Sequence, residues 1–436
     1  MTRASVHTAD VIVVGGGPAG IAAGTHAAEA GARVIIIDSG MRPGGQIWRH
    51  ADLSTLPHAA RRWIERSQRA GVRWMLQSTV VDGSLAHGLA VVRGDEAHIV
   101  RAPRIVIAAG ARELFLPYPG WTLPNAMGVG GAQALLKGGL DVRGKRAIVA
   151  GSGPLLLPVA AALTHAGARV DHVIEQAPMK TLARFAASLL RAHPEKLVLA
   201  ARYRSKLALR AYRTATWVTR ADGARRVESV TLTDGRRHWS EPCDLLCCSH
   251  GLVPNTELAR ILGCAVRDGK VVVDARQQTT VPGVYCAGES TGVAGDAASI
   301  AEGEVAGLMT ARGEAQVPAS LLRRRDRGRR FQHSLTTAFH PRAELMRLAE
   351  PQTVICRCED VRFGRLDREW TGRQAKLYTR IGMGACQGAV CGPAAEHLFG
   401  WPLGSVRPPL FAPVLETWAA AQSLASTIDE GVRPPT

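Results

Sequence analysis

The chain has 436 residues, a formal net charge of +17 and an isoelectric point near 10.1. Its length predicts about three domains, and with 46% hydrophobic and 21% charged residues its composition excludes a disordered chain. The longest uncharged stretch, residues 114–136, is interrupted by proline and glycine, so no membrane-spanning helix is expected. The N-terminus lacks the apolar region of a signal peptide, which predicts a cytoplasmic protein.

The first predicted elements form a nucleotide-binding unit. Residues 11–37 read in order as a β-branched strand, a glycine-rich turn, an alanine-rich helix and a second strand. Gly15 permits a tight turn, Gly17 lets the backbone approach a pyrophosphate, and Gly20 lets the helix pack closely on the strand. Asp38 ends the second strand, where its carboxylate can hold a ribose hydroxyl. The predicted dinucleotide contacts are Gly15, Gly17, Pro18, Ala19, Gly20 and Asp38.

A second unit of the same kind follows later in the chain. Gly151 and Gly153 form its turn, and Glu175 ends its second strand. Leu156 replaces the third glycine, and its bulk should change how the turn sits over a pyrophosphate. Three interpretations stay open for this second site: a bound adenine nucleotide such as ATP or NAD, working NAD(H) chemistry, or a purely structural relic.

Arginine is concentrated in one later segment. Six arginines fall between residues 323 and 330. A solvated linker face, a docking site for an acidic partner protein and a nucleic-acid contact all fit such a run. No nucleic-acid-binding motif accompanies it, so no nucleic-acid partner is expected.

Four of the nine cysteines fall together near the C-terminus. Cys356 and Cys358 form a C-x-C pair, and Cys386 and Cys391 follow. Four thiolates can complete one [2Fe–2S] cluster. Structural zinc also takes four cysteines, but usually as C-x₂₋₄-C pairs, so the C-x-C half favours iron–sulfur. Zinc and reduced structural cysteines are the alternatives.

Further motifs resemble those of flavoproteins with two dinucleotide-binding domains. These are residues 43–46 (Pro-Gly-Gly-Gln), residues 108–110 (Ala-Ala-Gly) and residues 284–289 (Val-Tyr-Cys-Ala-Gly-Glu). The resemblance implies FAD in the first domain, with further contacts from Gly44, Gly45, Gln46, Ala109, Gly110, Gly288 and Glu289. Glu289 stands where that superfamily usually has Asp.

The same resemblance implies an α/β fold with two Rossmann-like domains and a small C-terminal domain. A helix over 296–311 should close the FAD domain. The expected segments are 1–117 and 245–316 for the FAD domain, 118–244 for the inserted second domain, 317–350 for a basic linker, 351–400 for the four-cysteine domain and 401–436 for an extended tail. The linker is expected to be irregular, with a short helix near 342–349.

The segments around the four cysteines point to one particular family of flavoproteins. Residues 356–360, 379–388 and 391–393 resemble the bacterioferritin-associated-ferredoxin-like (BFD-like) [2Fe–2S] domain of the α, or A, subunits of heteromeric FAD-dependent amino-acid and opine dehydrogenases. That family includes the A subunit of opine oxidase, the α subunits of proline and hydroxyproline dehydrogenases, and the B subunit of hydrogen cyanide synthase.

The resemblance implies a heteromeric electron-transfer subunit. An amino-acid-oxidase-like β subunit would oxidise a secondary-amine amino acid, this chain would pass electrons between flavin and cluster, and an external acceptor would receive them. The resemblance is also compatible with a small γ subunit, with an FMN at a subunit interface, and with membrane association through the complex. The alternatives are a stand-alone NAD(P)H-dependent reductase, a glycine-oxidising hydrogen cyanide synthase subunit, and an iron–sulfur redox sensor.

The sequence yields no catalytic residue. His50, His250 and His333 are expected to be satisfied or solvated histidines. No cysteine precedes Cys243, which excludes the redox-active pairs of disulfide reductases in this superfamily.

Overall fold

A computed structural model describes residues 4–50, 52–207, 212–312, 317–401 and 406–432. The chain divides into two compact units. The first contains residues 1–112, 254–332 and 405–436, and the second contains residues 113–253 and 333–404.

A five-stranded parallel sheet forms the centre of the first unit. Its strands are rich in buried valine and isoleucine, as expected for a parallel sheet covered on both faces. In spatial order they are Val284–Cys286, Arg104–Ile107, Val11–Val14, Val34–Ile37 and Arg73–Met75. The register aligns Val14 with both Ile37 and Ile107, so the carboxyl ends of the three central strands lie side by side.

Two helices on this sheet pack unusually closely. They are Pro18–Glu29 and Asp296–Arg312, and the second confirms the helix predicted over 296–311. A Cβ on Gly303 would lie 2.2 Å from the carbonyl oxygen of Ala19, so glycine is required at this crossing.

The first unit also contains a four-stranded sheet. Its strands in order are Ala4–Thr8, Glu96–Arg101, Gly88–Arg93 and Thr79–Ser84. The helix Leu415–Val432 packs on it, with buried Ala421 among Val81, Ala90 and Ile99. The prediction of an extended tail over 401–436 was therefore wrong for 415–432, because the alanine-rich sequence after Pro413 favours a helix. Residues 402–405 and 433–436 of that tail lie outside the described residues.

The predicted linker also folds. Residues 319–338 form one helix, Ala319–Ala338, and Ala343–Arg347 form a 3-10 turn. Leu321, Arg325 and Phe331 are all buried on one face of that helix. Arg325 interrupts the apolar pattern, which is why the segment reads as an irregular linker. Residues 313–316, at the expected end of the FAD domain, lie outside the described residues.

The other elements of the first unit are short. They are the 3-10 turns Leu53–Thr55 and Gly288–Thr291, the helices His58–Arg69 and Glu257–Ile261, and the strands Val266–Arg267 and Lys270–Val271. The strands Ala111–Glu113 and Leu252–Pro254 lie where the chain passes from one unit to the other.

The second unit has its own five-stranded parallel sheet. The strands in order are Ala126–Met127, Leu245–Ser249, Arg146–Gly151, Arg169–Glu175 and Tyr212–Arg213. Its helices are Val129–Lys137, Leu156–His165, Met179–Ala192 and Pro194–Arg204. An antiparallel sheet follows, with strands Trp217–Asp222, Ser229–Thr233 and His238–Pro242. Two parallel sheets with covering helices confirm the α/β fold class.

The four-cysteine segment is a small folded module within the second unit. Its elements are the strands Val354–Cys356 and Val361–Arg362, the 3-10 turn Phe363–Arg365, and the helices Gly372–Thr379 and Cys391–Phe399. Ile355, Val361 and Leu398 form its core with Cys356 and Cys391. In the described part of the chain, no helix is long and apolar enough to cross a membrane.

Candidate functional site

The first glycine turn has the geometry that its sequence predicts. Gly15 has a φ of +108°, and a Cβ there would lie 2.1 Å from the carbonyl oxygen of Ala108. A Cβ on Gly20 would lie 1.8 Å from the carbonyl oxygen of Gly15, so only glycine lets the helix approach the strand. A Cβ on Gly17 would meet no described atom within 4 Å. The turn is therefore tight on its protein side and open at Gly17.

The helix after this turn begins with free amides. Gly17 is its N-cap and provides no side-chain cap, and Pro18 and Ala19 form the first turn. Uncapped N–H groups at a helix N-terminus favour a phosphate group.

Asp38 lies beside the turn, as predicted. Its carboxylate accepts hydrogen bonds from the backbone N–H of Gly16 and from that of Gly40, the latter at 2.6 Å. Two backbone donors hold the carboxylate in a fixed orientation at the end of its strand.

The loop after Asp38 returns to the glycine turn. The Gly44 amide donates to the carbonyl oxygen of Gly16 at 2.8 Å, and a Cβ on Gly45 would lie 2.9 Å from the Cα of Gly17. Gln46 is exposed in this loop. The structure thus brings Gly44 and Gly45 next to the first glycine turn.

The chain around Ala109 and Gly110 is held by two side chains. The Asn255 Nδ2 donates to the Ala109 carbonyl oxygen at 2.8 Å, and the Ser290 hydroxyl donates to the Gly110 carbonyl oxygen at 3.2 Å. Arg112 in turn donates to the Asn255 side-chain oxygen at 2.7 Å. Asn255 therefore fixes a loop at the carboxyl edge of the sheet.

Sequence reasoning missed Glu302 as a residue of this edge. Its buried carboxylate accepts the Gly288 N–H at 2.9 Å and the Thr291 hydroxyl at 2.7 Å. Burial raises the pKa of Glu302, and the hydrogen bond from Thr291 opposes that rise. Burial also raises the pKa of Glu289, to which the charge of Asp296 adds. Since Glu302 lies in the middle of a helix, no local motif indicates its role.

The second glycine turn differs from the first in its contacts. Gly151 is equally tight, because a Cβ there would lie 1.7 Å from the Ser249 carbonyl oxygen. The Gly153 N–H, which would face a pyrophosphate, donates to the Glu175 carboxylate at 2.8 Å. Leu156 is buried in the core of the second unit. Burial raises the pKa of Glu175 to about 7, against the effect of the hydrogen bonds from Ala177 and Gly153.

The four cysteines of the module meet in two pairs. Cys391 donates a hydrogen bond to Cys356, and Cys358 is hydrogen-bonded to Cys386. The contact with Cys391 lowers the pKa of Cys356 to about 5, whereas the pKa of Cys391 is raised. Electrostatic interactions also link Cys356 to Cys358 and Cys386 to Cys391, so the two pairs are neighbours.

The backbone next to this group is shaped by glycine. A Cβ on Gly384 would lie 2.2 Å from the Cβ of Cys358, and Gly382 and Gly388 both have positive φ. All four thiols are free, with Cys358 exposed and Cys356 and Cys391 buried. In the described residues, no three His, Cys, Asp or Glu side chains are placed to hold a single metal ion.

The remaining cysteines are structural in their surroundings. Cys243, Cys247 and Cys248 are buried, and burial raises the pKa of Cys243 to about 11 and that of Cys248 to about 12. A buried thiol with a raised pKa is a poor nucleophile at neutral pH.

The three histidines occupy different environments. His333 is exposed, and His50 bonds to the Trp48 carbonyl oxygen at 2.8 Å. His250 is buried, and its Nδ1 has no hydrogen-bond partner in the part of the chain that the structure describes. Burial lowers the pKa of His250 to about 4, and His397 contributes to the shift. His250 is thus neutral at neutral pH, and the prediction that its hydrogen bonds are satisfied does not hold for its Nδ1 in the described residues.

Comparison with known proteins identifies the family. Residues 9–315 match the family model for pyridine nucleotide-disulphide oxidoreductases. The chain belongs to this family. It is similar to the A subunit of opine oxidase from Agrobacterium tumefaciens (strain Ach5), at 30% identity over 89% of this chain and 85% of that protein. It is also similar to the HcnB subunit of hydrogen cyanide synthase from Pseudomonas aeruginosa, at 30% identity over 87% of this chain and 90% of that protein.

Solved structures agree on the fold. L-proline dehydrogenase from P. horikoshii superposes with a TM-score of 0.67 at 19% identity, covering 96% of this chain and 80% of that one. T. acidophilum thioredoxin reductase superposes with a TM-score of 0.55 at 21% identity, covering 70% of this chain and 98% of that one. The chain is an FAD-dependent oxidoreductase related to the A subunit of opine oxidase and the B subunit of hydrogen cyanide synthase.

Proposed function

We propose that this chain is the electron-transfer subunit of a heteromeric dehydrogenase that oxidises a secondary-amine amino acid of the opine or proline type. In this proposal the chain holds FAD and a [2Fe–2S] cluster and passes electrons between them. The observation that carries it is the meeting of Cys356, Cys358, Cys386 and Cys391 in two pairs.

The donor set of this group fits a two-iron cluster. A [2Fe–2S] cluster takes four cysteine thiolates. The two cysteine pairs together offer four thiolates, two for each iron. Residues Cys356, Cys358, Cys386 and Cys391 would hold the cluster, and residues 351–400 would be its domain.

The first glycine turn fits FAD. Its open Gly17, uncapped helix N-terminus and fixed Asp38 carboxylate supply phosphate and ribose contacts. The proposed contacts are Gly15, Gly17, Pro18, Ala19, Gly20, Asp38, Gly44, Gly45, Gln46, Ala109, Gly110, Gly288 and Glu289. When bound, the flavin supplies the two-electron acceptor, and the protein holds it by these contacts.

The cysteines outside the module support a relay rather than a disulfide reductase. The first of them, Cys243, lies in the second unit, and it and its neighbours are buried thiols of raised pKa. These buried cysteines do not form a redox-active pair that could accept electrons from the flavin. In this proposal the electrons pass to the cluster instead.

The names of relatives suggest the chemistry. Two of the similar proteins are named for the oxidation of an opine and the dehydrogenation of L-proline. We propose that an amino-acid-oxidase-like β subunit removes the hydride to give an imine, which water hydrolyses, and that this chain carries the electrons to an external acceptor. The proposal extends to a cytoplasmic complex, to an FMN at the subunit interface and to a small γ subunit.

Analysis of the purified chain tests the cluster. Protein isolated without air should contain two irons and two acid-labile sulfides per chain, and Cys358→Ser should lose both. Cys264→Ser, at a buried thiol outside the module, is the matched control and should keep them. Zinc without sulfide, or no metal in the unaltered protein, would contradict the cluster assignment.

Co-expression tests the partner. A genomic neighbour that encodes an amino-acid-oxidase-like chain should copurify with this one, and only the complex should oxidise opines or proline derivatives with a dye acceptor. Full activity of this chain alone would contradict the relay.

Two alternatives have specific support. The presence of a second dinucleotide-type fold suggests a stand-alone NAD(P)H-dependent reductase, against which the bond between the Gly153 N–H and Glu175 argues; rapid bleaching of the flavin absorbance by NADH would support this alternative. The likeness to HcnB suits a glycine-oxidising subunit, in which case glycine would be the substrate of the complex.

A further inference from the structure

A segment of this chain lies across the second glycine turn. We define the strap as residues Phe339–Arg342, which follow the helix Ala319–Ala338. The Ser152 hydroxyl donates to the Phe339 carbonyl oxygen at 2.9 Å. The Gln176 side-chain N–H groups donate to the His340 carbonyl oxygen and to the Ser152 hydroxyl, both at 3.0 Å. The Arg342 backbone N–H donates to the Gln176 side-chain oxygen at 3.2 Å.

These bonds use the whole amide group of Gln176. Both of its N–H groups donate and its oxygen accepts, and the residue is 2% exposed. A buried amide that is fully hydrogen-bonded is costly to release, since each lost partner leaves a desolvated polar atom. The hydrogen bonds of Gln176 therefore fix the strap at the second glycine turn.

Aromatic contacts hold both ends of the strap. The ring of Phe339 meets the ring of Phe185 edge-on, with 5.1 Å between centroids. The Arg342 guanidinium lies 3.9 Å from the centroid of Trp217 and bonds to Glu344 at 2.8 Å. Contacts of this kind add to the hydrogen bonds between them.

The position of the strap is the ribose end of a dinucleotide fold. Ser152 lies between Gly151 and Gly153, and Gln176 directly follows Glu175 at the end of the second strand. In a working dinucleotide site, the acid at this point holds the ribose. Here Gln176, the residue after this acid, bonds to the strap. Glu175 itself accepts a hydrogen bond from the Gly153 N–H, which would otherwise be available to a pyrophosphate.

We infer that the strap closes the second nucleotide fold, so that this chain binds no nucleotide there and carries only the adenine of its FAD. The strap, residues 339–342, occupies the position at the second glycine turn where an adenine nucleotide would bind. This inference needs FAD in the first unit but does not depend on the cluster, the partner or the substrate.

Counting adenine against flavin tests the inference. Acid-released cofactors from the natively purified chain should contain one adenine per flavin, because FAD carries one of each. Titration of the FAD-loaded protein with ATP and with NADH should give no saturable binding by calorimetry. Two adenines per flavin, or saturable binding of either nucleotide, would overturn the closed site. Iron, sulfide and partner assays play no part in this readout.

Hydrogen exchange tests the strap itself. In Gln176→Ala, the Arg342 amide loses its acceptor, and its exchange should be about fivefold faster. Ser152→Ala is the milder variant and should speed exchange over 339–342 without unfolding the unit. Gln68→Ala, at an exposed glutamine of the helix His58–Arg69, is the control and should change neither rate. Unchanged exchange of 339–342 in both Ser152→Ala and Gln176→Ala would show that these bonds do not hold the strap.

Discussion

The backbone N–H of Gly288 donates to the carboxylate of Glu302 at 2.9 Å, which ties the loop after the strand Val284–Cys286 to the helix Asp296–Arg312. Glu302 also accepts from Thr291 and lies 3.6 Å from the Arg329 guanidinium. One buried carboxylate thus orders the loop that contains Glu289.

Removal of this carboxylate should weaken both stability and flavin binding. Glu302→Ala leaves the Gly288 N–H and the Thr291 hydroxyl without their acceptor, at a cost of about 2–4 kcal/mol. Thermal unfolding and flavin content of the purified protein measure the two effects. Glu369→Ala, at an exposed glutamate, should change neither. A Glu302→Ala protein with normal stability and flavin content would refute this role.

Two glycines of the first turn should respond differently to alanine. Gly17→Ala meets no described atom, so the fold should be kept while FAD affinity falls by at least about tenfold, or about 1.4 kcal/mol. Gly20→Ala places a Cβ 1.8 Å from the Gly15 carbonyl oxygen and should also destabilise the fold by about 1–3 kcal/mol. FAD titration and thermal unfolding of the apoproteins separate the two. Equal stability losses in both variants would contradict the open position of Gly17.

Gly384 should control the placement of Cys358. Alanine there would bring its Cβ to 2.2 Å from the Cβ of Cys358, so this cysteine must shift. We expect Gly384→Ala to lose most of its iron and acid-labile sulfide while all four cysteines are still present. Ala385→Ser, at the exposed neighbouring position, should bind normal amounts. Normal iron in Gly384→Ala would show that the group tolerates the displacement.

Glu175 should make the stability of the second unit depend on pH. Its pKa rises from 4.5 to about 7 on folding because the carboxyl is buried. The folded protein therefore binds this proton more tightly than the unfolded chain, so the contribution of Glu175 to stability is largest below pH 4.5 and is lost as pH rises to about 7, by up to about 3 kcal/mol. Glu175→Gln should remove this fall, as chemical denaturation between pH 5 and 8 can show. A variant with the same pH profile as the unaltered protein would assign the dependence to other groups.

Local sequence patterns predicted the parts of the molecule that are determined locally. The strand Val11–Val14, the turn at Gly15 and the helix Pro18–Glu29 follow from a β-branched run, glycine spacing and alanine content. Spacing also pointed to the four cysteines, which the structure brings together.

Contacts between distant segments were not visible in the sequence. Glu302 meets Gly288 across a turn of irregular chain, and Gln176 meets His340 from 164 residues away. The helix Ala319–Ala338 was missed because Arg325, a charged residue, occupies a core position where its guanidinium bonds to Asp326. A buried and paired arginine cannot be distinguished from a solvated one by pattern alone.

The helix Leu415–Val432 also bears on how the protein is made. It covers a sheet whose strands come from the first hundred or so residues, while the second unit ends by residue 404. During synthesis on a ribosome, the second unit can complete its fold before the helix Leu415–Val432 has been made. The four-stranded sheet of the first unit is synthesised earlier and lacks this helix until then. Until the helix is made, Val81, Ala90 and Ile99 of that sheet lack their buried contact with Ala421.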